Sequence, residues 1–386
     1  MKKVFIISSI LLVVVLIFLG IYNFAFNDAT VSTKTAKNTQ TRESAQQKAE
    51  QKSAAVVTRD ADTAPSTPPK KKDERIVPVT KHRVVSPIID PTKEKIRFYD
   101  KDTGRVMEVP IIGGTERVFS DVPLAHFVYA AWAPDGQRVL TKFVDDRGVR
   151  IYFFDHRTGR GIQLKRGIQR VDWTAAGNQI IYTFFDAGAR RTTLNVADPD
   201  GKNWRILADK VPKGTRFVNI PQSTRIAFWR APNPYEKTEL KVVSLLDTTP
   251  QPKKIFGGHY NANYLFSPNG ERILISSTQE RGSNARVLGV ANADGGEYSN
   301  LHIPTNVDKC TWASNSRTIY CAFPTGNRDT FWKIDVTTNK KERIVDLDKV
   351  VSSSTRYKAF NLFLAPDEQA LFFINGLDGR LYRIAL

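Results

Sequence analysis

Basic side chains recur in polar segments that follow one another along the chain at roughly regular intervals. Segments 145–148, 186–191, 233–237, 280–283 and 326–329 each combine Lys or Arg with Asp, Asn, Glu or Gly. Guanidinium groups gathered on one side of a molecule attract an anionic partner by Coulomb forces. Because acidic neighbours accompany them, the alternative is a set of ordinary solvated charges. The arginines predicted to form such an anion-binding face are Arg147, Arg190, Arg191, Arg281 and Arg328.

Patterns that would indicate a common catalytic or metal centre are missing from the sequence. It contains no Gly-x-Ser-x-Gly elbow of a serine hydrolase, and its Asp–Gly turns lack the alternating carboxylates of a calcium loop. The histidines follow no ligand spacing; they are His82, His126, His156, His259 and His302. We therefore predict no metal, no cofactor and no catalytic residue, while a catalytic site assembled from distant segments stays open.

The only two cysteines, Cys310 and Cys321, flank a segment that reads as a tight hairpin centred on Asn315 and Ser316. Such a turn places them opposite each other on neighbouring strands. In an oxidising compartment the pair would form a disulfide. The alternative is two small buried thiols, because cross-strand geometry often strains the bond.

The elements that carry these residues repeat. Short turn motifs rich in Pro, Asp, Asn and Gly recur every 41 to 52 residues or so, a period typical of propeller blades. Proline presets the first corner of such a turn, and Gly or Asn tolerates the positive φ that a tight hairpin requires. A bulky apolar residue usually stands two positions before the turn. These residues are Ile89, Trp132, Trp173, Phe266, Trp312 and Leu364, with Asn219 as the exception.

Each copy continues as four short strands separated by turn signals, without helical periodicity. The Trp/Phe-x-Pro-Asp/Asn-Gly hairpins, such as Trp132–Gly136, resemble the β-propeller repeats of TolB-type proteins, which are distant relatives of WD-repeat propellers. The resemblance covers residues 74–386 and implies an all-β, seven-bladed β-propeller, with six blades as the alternative. We interpret Trp132, Trp173 and Trp312 as packing residues between blades rather than as sugar platforms.

The ring must also close. The last copy supplies three strands and then the chain ends, while Ile76–Val79 forms a lone strand-like segment upstream of the first copy. We predict that this segment is the outer strand of the last blade, paired with Leu381–Ala385. Pro78 is compatible with that place because an outermost strand leaves one side unpaired.

The N-terminal region predicts a membrane anchor and a tether. Residues 4–22 are apolar and uncharged, follow two lysines and are long enough to span a bilayer as a helix. We predict an uncleaved signal anchor over residues 1–26; a cleaved signal peptide is the alternative, and in either case the rest is exported. Residues 27–73 are polar and poor in aromatics, and predict a disordered linker before the propeller at 74–386.

The chain carries a formal net charge of +18. Nucleic acid is an unfavourable partner for an exported domain without a recognisable nucleic-acid module. We therefore expect a non-enzymatic, monomeric propeller, tethered to the cell membrane on its outer side, that binds a protein or an anionic cell-envelope polymer. The alternative is an enzyme acting on glycans, a lyase or a hydrolase, with its site at the mouth of the central channel.

Overall fold

The computed structural model describes residues 75–146, 148–345 and 356–386. The predicted signal anchor, the linker and Arg147 lie outside the described residues. Among the residues that are described, no helix is long and apolar enough to cross a bilayer.

Within the described ranges the strands pair antiparallel in six sheets, five of them four-stranded. The first sheet has β2 (Val84–Ile89), β3 (Lys95–Asp100), β4 (Val106–Pro110) and β5 (Arg117–Ser120). The second has β6 (Phe127–Trp132), β7 (Arg138–Asp145), β8 (Gly148–Asp155) and β9 (Arg160–Gln163). The third has β10 (Ile168–Trp173), β11 (Ile180–Asp186), β12 (Arg191–Ala197) and β13 (Arg205–Ala208).

The next sheet is seven-stranded, because the long strand β17 pairs with β16 through its first half and with β18 through its second. Its members are β14 (Arg216–Asn219), β15 (Arg225–Trp229), β16 (Lys237–Ser244), β17 (Lys253–Phe266), β18 (Arg272–Thr278), β19 (Val287–Asn292) and β20 (Ser299–Ile303). After a 3₁₀ turn at Val307–Lys309 comes a sheet of β21 (Cys310–Trp312), β22 (Thr318–Thr325), β23 (Arg328–Asp335) and β24 (Lys341–Arg343).

The last sheet joins the two ends of the described chain. It contains β25 (Ala359–Leu364), β26 (Ala370–Asn375), β27 (Leu381–Ala385) and, on its outer edge, β1 (Ile76–Pro78). Val77 pairs with Arg383, and Pro78 with Tyr382, in antiparallel register. The predicted closure by the N-terminal strand is therefore confirmed.

The hydrophobic core lies between neighbouring sheets rather than within a single layer. Phe98 of the first sheet is fully buried in one cluster with Phe372 of the last, so the succession of sheets closes into a ring. First strands of successive sheets also contact one another, as β2 does β6 and β21 does β25. They consequently surround a common centre, the central channel.

The recurring tryptophans connect each sheet to the preceding one. The indole Nε1 of Trp132 donates to Ser86 O at 3.0 Å, that of Trp173 to Ala131 O at 2.9 Å, and that of Trp312 to Leu265 O at 3.2 Å. Asn219, the exception in the sequence pattern, makes the equivalent bond, because its side-chain Nδ2 donates to Trp173 O at 2.7 Å. These residues are packing and hydrogen-bonding elements between sheets, as predicted for the tryptophans.

The turn glycines have a second role beside their positive φ. Gly136 has φ +63°, and a Cβ placed on it would lie 2.9 Å from Pro91 Cδ in the turn of the preceding copy. Gly177, with φ +68°, stands in the same relation to Pro134, at 2.7 Å. Any larger residue would therefore meet both backbone strain and a steric clash.

Candidate functional site

In each sheet, the loop between the second and third strands lies on the same side of the ring as the segment that leads into the first strand. Phe185 N donates to Gly167 O, just before β10, at 2.9 Å, and Asp329 N donates to Tyr357 O, just before β25, at 2.9 Å. Gly282 N also joins two of these loops by donating to Pro234 O at 2.7 Å. We call this side the loop face.

The predicted basic residues on the loop face have different surroundings. Arg190 is exposed and has a positive φ of 49°, whereas Arg191 opens β12 and its Nη1 lies 3.1 Å from Asp209 Oδ2. Arg281 is exposed, and its Nε donates to Tyr235 O at 3.3 Å. Arg328 opens β23, and Arg147 is outside the described residues. Arg191 and Arg281 are thus held by partners within or beside their own loops.

A second set of polar residues occupies one level of the central channel. Three positions before the bulky residue of each turn motif, every copy has a polar side chain. Five of the strands concerned, β2, β6, β10, β17 and β25, have a shift of register at or beside this position. Such bulges re-aim a side chain. We call this set the channel ring: Ser86, Tyr129, Arg170, Arg216, Asn263, Lys309 and Asn361.

Part of the channel ring is organised around Asp308. Asn263 Nδ2 donates to Asp308 Oδ1 at 2.8 Å, and Arg216 Nη1 lies 3.9 Å from Asp308 Oδ2. The guanidinium group of Arg286, in the loop after β18, also lies close to Asp308. Burial lowers the pKa of Arg216 and of Arg286, and the nearby carboxylate of Asp308 opposes that shift in both. A single carboxylate therefore faces two guanidinium groups.

Another part of the ring surrounds Asp172. This carboxyl group accepts from Trp173 N at 2.8 Å, and burial raises its pKa, while the nearby charge of Arg170 acts in the opposite direction. Lys142 donates from Nζ to Gln169 O at 3.0 Å, and burial together with Arg170 lowers its pKa. Tyr129 is 39% exposed, yet desolvation by the surrounding protein groups and the charge of Asp172 raise its pKa.

Lys309, the third cation of the ring, is already paired. Its Nζ donates to both carboxylate oxygens of Asp329, at 2.8 and 2.6 Å. Asp329 is only 3% exposed and also accepts from Ala359 N at 2.7 Å. This carboxylate joins Lys309, just before β21, to Ala359, the first residue of β25. Asp329 therefore has a structural role although it belongs to the basic loop 326–329.

Comparison with solved structures identifies the architecture. An oligogalacturonate lyase in complex with manganese matches with a TM-score of 0.57 and 12% identity, over 81% of this chain and 93% of that one. The β-propeller domain of the Trilobed protease from Pyrococcus furiosus matches with a TM-score of 0.52 and 13% identity, over 79% and 96%. The fold is a β-propeller.

The predicted β-propeller fold is confirmed by these two matches. TolB from Acinetobacter baumannii matches at 13% identity over 67% of this chain and 62% of that one, with a TM-score of 0.46. No family model and no curated protein matches the chain. At these identities the similarity shows the fold alone, so the function must be argued from the site.

The propeller channel has an excess of positive charge on its loop-face side. Five cations, Lys142, Arg170, Arg216, Arg286 and Lys309, lie beside Asp172, Asp308 and Asp329. Burial disfavours the charged forms of Lys142, Arg216 and Arg286, so a bound anion would offset part of this desolvation penalty by Coulomb attraction. Among the described residues, no group of three or more His, Cys, Asp or Glu side chains is placed to hold a metal ion.

Sequence reasoning placed the basic site on the loops and missed the channel ring. The signal was present as one polar residue at a fixed distance before each bulky residue. This repeated polar residue can be recognised as part of a site only from the ring geometry, because only closure of the ring brings Arg170, Arg216 and Asp308 together.

The two cysteines lie outside the channel cluster. Cys310 and Cys321 stand directly opposite each other on β21 and β22, with Cα atoms 4.1 Å apart, and their sulfurs are bonded as a disulfide. Both are buried in the core between two sheets.

Proposed function

We propose that this protein is a binding module whose channel holds an anionic group of a cell-envelope polymer or of an acidic protein partner. The observation that carries the proposal is the approach of Arg170, Arg216 and Arg286 within one channel, where Asp308 only partly offsets their charge. Partial burial matters because a charge pair is worth more where less water reaches it. The loop arginines Arg147, Arg190, Arg191, Arg281 and Arg328 would extend this attraction around the channel mouth.

The test is binding of the full chain to polygalacturonate, a polymer of carboxylates, over a series of salt concentrations. We expect the double variant Arg170→Gln, Arg216→Gln to weaken binding at least about tenfold, since hydrogen bonds to charged groups contribute about 1.5 to 3 kcal/mol each. The matched control is Arg160→Gln, Arg225→Gln, which removes two exposed charges at the first residues of β9 and β15, beside turns on the opposite face. Equal affinity of the two double variants would overturn the proposal.

The contribution of the loop face is separated by a triple variant, Arg190→Ala, Arg191→Ala, Arg281→Ala. Exposed pairs contribute about 1 kcal/mol or less each and are screened within about 8 Å at physiological salt. We therefore expect a modest loss at low salt that disappears as salt rises, whereas the loss from the channel variant persists. If the triple variant binds like the wild type even at low salt, these arginines are ordinary solvated loop residues.

A glycan-cleaving enzyme is the second candidate, favoured by the surroundings of Asp172. A carboxyl group with a raised pKa beside Tyr129 and Arg170 offers an acid or base next to a cation that could hold a uronate carboxylate. One of the similar structures is an oligogalacturonate lyase. The test is incubation with polygalacturonate, with ultraviolet absorbance for unsaturated products and a reducing-sugar assay for hydrolysis. Product that forms with wild type and not with Asp172→Asn would favour the enzyme.

We also propose seven blades and a membrane-tethered location outside the cytoplasm. Seven turn copies support the blade count, as does the division of the seven-stranded sheet at β17 into two four-stranded units that share this strand. An experimental structure of the chain decides between seven blades and six.

The apolar segment 4–22 after two lysines supports the tether. Protease treatment of intact cells checks it, because an exposed, tethered propeller is released into the medium by cleavage within 27–73.

A further inference from the structure

A cavity of about 330 Å³ lies between the first two blades, away from the residues of the channel ring. Strands β3 to β5 supply one wall and β7 to β9 the other. Its aromatic lining includes Tyr99, Phe143, Tyr152 and Phe154, and Arg150 and His156 contribute its nitrogen groups. A volume of this size lies at the lower end of the range of small-molecule sites, about 300 to 1,000 Å³.

The space exists because this interface has a small core. In the described residues, the cluster between the first two blades contains five buried residues. The other clusters contain ten to twelve each. Phe127 and Phe154 pack against the small cluster without becoming fully buried. The blades are thus held together around a gap that their own side chains do not fill, in contrast to the dense packing of ordinary interiors.

Two nitrogen atoms of the lining are buried without a hydrogen-bond partner. The guanidinium of Arg150 pairs with Asp145 through Nη2 and reaches Tyr152 Oη from Nη1 at 3.3 Å, but its Nε has no partner. His156 stacks on Trp132, with ring centroids 5.6 Å apart, and its Nε2 also has no partner. Buried polar atoms almost always make a hydrogen bond, so the missing partner of each of these nitrogen atoms needs an explanation.

The charge of the cavity is close to neutral. Asp145 offsets the charge of Arg150 directly. Burial lowers the pKa of His156 to about 4, so its ring is uncharged at neutral pH. The lining therefore offers aromatic faces without a net charge to attract an ion, and Arg150 Nε is an unused N–H donor buried beside it.

We propose that this cavity binds a small, uncharged aromatic molecule that carries an oxygen acceptor. Its ring would pack against Phe143, Tyr152 and Phe154 in the edge or offset arrangements that aromatic groups favour. Arg150 Nε is buried in the empty site, so a small shift of the Arg150 side chain would accompany binding and let the ligand's oxygen accept from this atom. This site is distinct from the proposed anion site in the channel, and its ligand differs in charge.

Three probes of one shape test the assignment by ligand-observed NMR on the full chain. Acetophenone has the ring and the acceptor, α-methylstyrene replaces the oxygen by a methylene group, and benzoate adds a negative charge. We expect acetophenone to bind about tenfold more tightly than α-methylstyrene, which corresponds to one hydrogen bond to an otherwise unpaired donor. Equal affinities would overturn the role of the acceptor, tighter binding of benzoate would overturn the neutral ligand, and no binding of any probe would overturn the site.

A cavity-filling variant locates the binding. Ser120 lines the cavity from β5, and Ser120→Leu places apolar bulk there, so acetophenone affinity should fall more than tenfold. The matched control is Ser299→Leu on the exposed outer strand β20, which should bind acetophenone like the wild type. Should Ser120→Leu fail to fold, intermolecular NOEs from the acetophenone methyl group to the Phe143 and Phe154 rings decide the matter, and their absence contradicts the proposal.

Discussion

Arg216 and Asp308 face each other in the channel, with Nη1 and Oδ2 3.9 Å apart, although Arg216 opens β14 and Asp308 lies in the 3₁₀ turn before β21. The same carboxylate accepts from Asn263 and interacts electrostatically with Arg286. Asp308 is thus a built-in anion that competes with any anionic ligand for these guanidinium groups.

Removing this competitor should strengthen anion binding. We expect Asp308→Asn to increase affinity for polygalacturonate about three- to fivefold, because a half-exposed charge pair is worth up to about 1 kcal/mol. Asp294→Asn makes the same charge change at an exposed turn on the opposite face and should leave the affinity unchanged. The two variants are compared by titration at low salt. A weaker binding of Asp308→Asn would mean that the carboxylate is a ligand contact rather than a competitor.

The indole of Trp173 should contribute to stability through its hydrogen bond as well as its bulk. Trp173→Phe leaves Ala131 O without its donor in a buried place, so we expect a loss of about 1 to 3 kcal/mol in the free energy of unfolding, with packing losses in addition. Trp204→Phe is the control, because that side chain is 59% exposed and the change should cost little. Urea denaturation of both variants makes the comparison, and similar losses would argue against the inter-blade bond.

The disulfide closes a short segment, with a sequence separation of 11 between Cys310 and Cys321. Loop-closure entropy for a segment of this length predicts a stabilisation of about 3 kcal/mol. We expect reduction, or the double variant Cys310→Ala, Cys321→Ala, to lower the free energy of unfolding by about that amount. Adding reductant to the double variant should change nothing further. A wild type whose stability is insensitive to reductant would contradict a bonded pair.

Stability should depend on pH through His156. Its pKa falls from 6.5 to about 4 on folding because burial disfavours the imidazolium. The unfolded chain therefore binds more protons than the folded one between these values, so stability rises with pH in this window and is lost as pH falls from 6.5 towards 4. His156→Phe should show a smaller loss over the same range in urea denaturation, whereas the exposed His302→Gln should behave like the wild type. An unchanged slope in His156→Phe would remove this residue as the cause.

Local chemistry accounts for what the sequence determined by itself. Turn positions follow from residues that accept particular φ values, as at Gly136 and Gly177, and these turns set the length of each copy. Strand propensity between the turns determined the all-β class. The closing strand could also be predicted, because Ile76 and its neighbours had no local partner while the last copy lacked one strand. Each of these inferences needed only residues that are close in the sequence, or a count of the strands in each copy.

Ring geometry decided the rest. Asn219 reads as a break in the pattern of bulky residues, yet it donates the same inter-blade bond as the tryptophans, which becomes visible only when Trp173 O lies next to it. Arg170 on β10, Arg216 on β14 and Asp308 in the 3₁₀ turn before β21 are far apart in the sequence, and only closure of the ring brings them to one channel. The gap beside Arg150 likewise depends on how two sheets pack. Electrostatic coupling and cavity volume depend on distances in space, and those distances are decided only when the whole ring has formed.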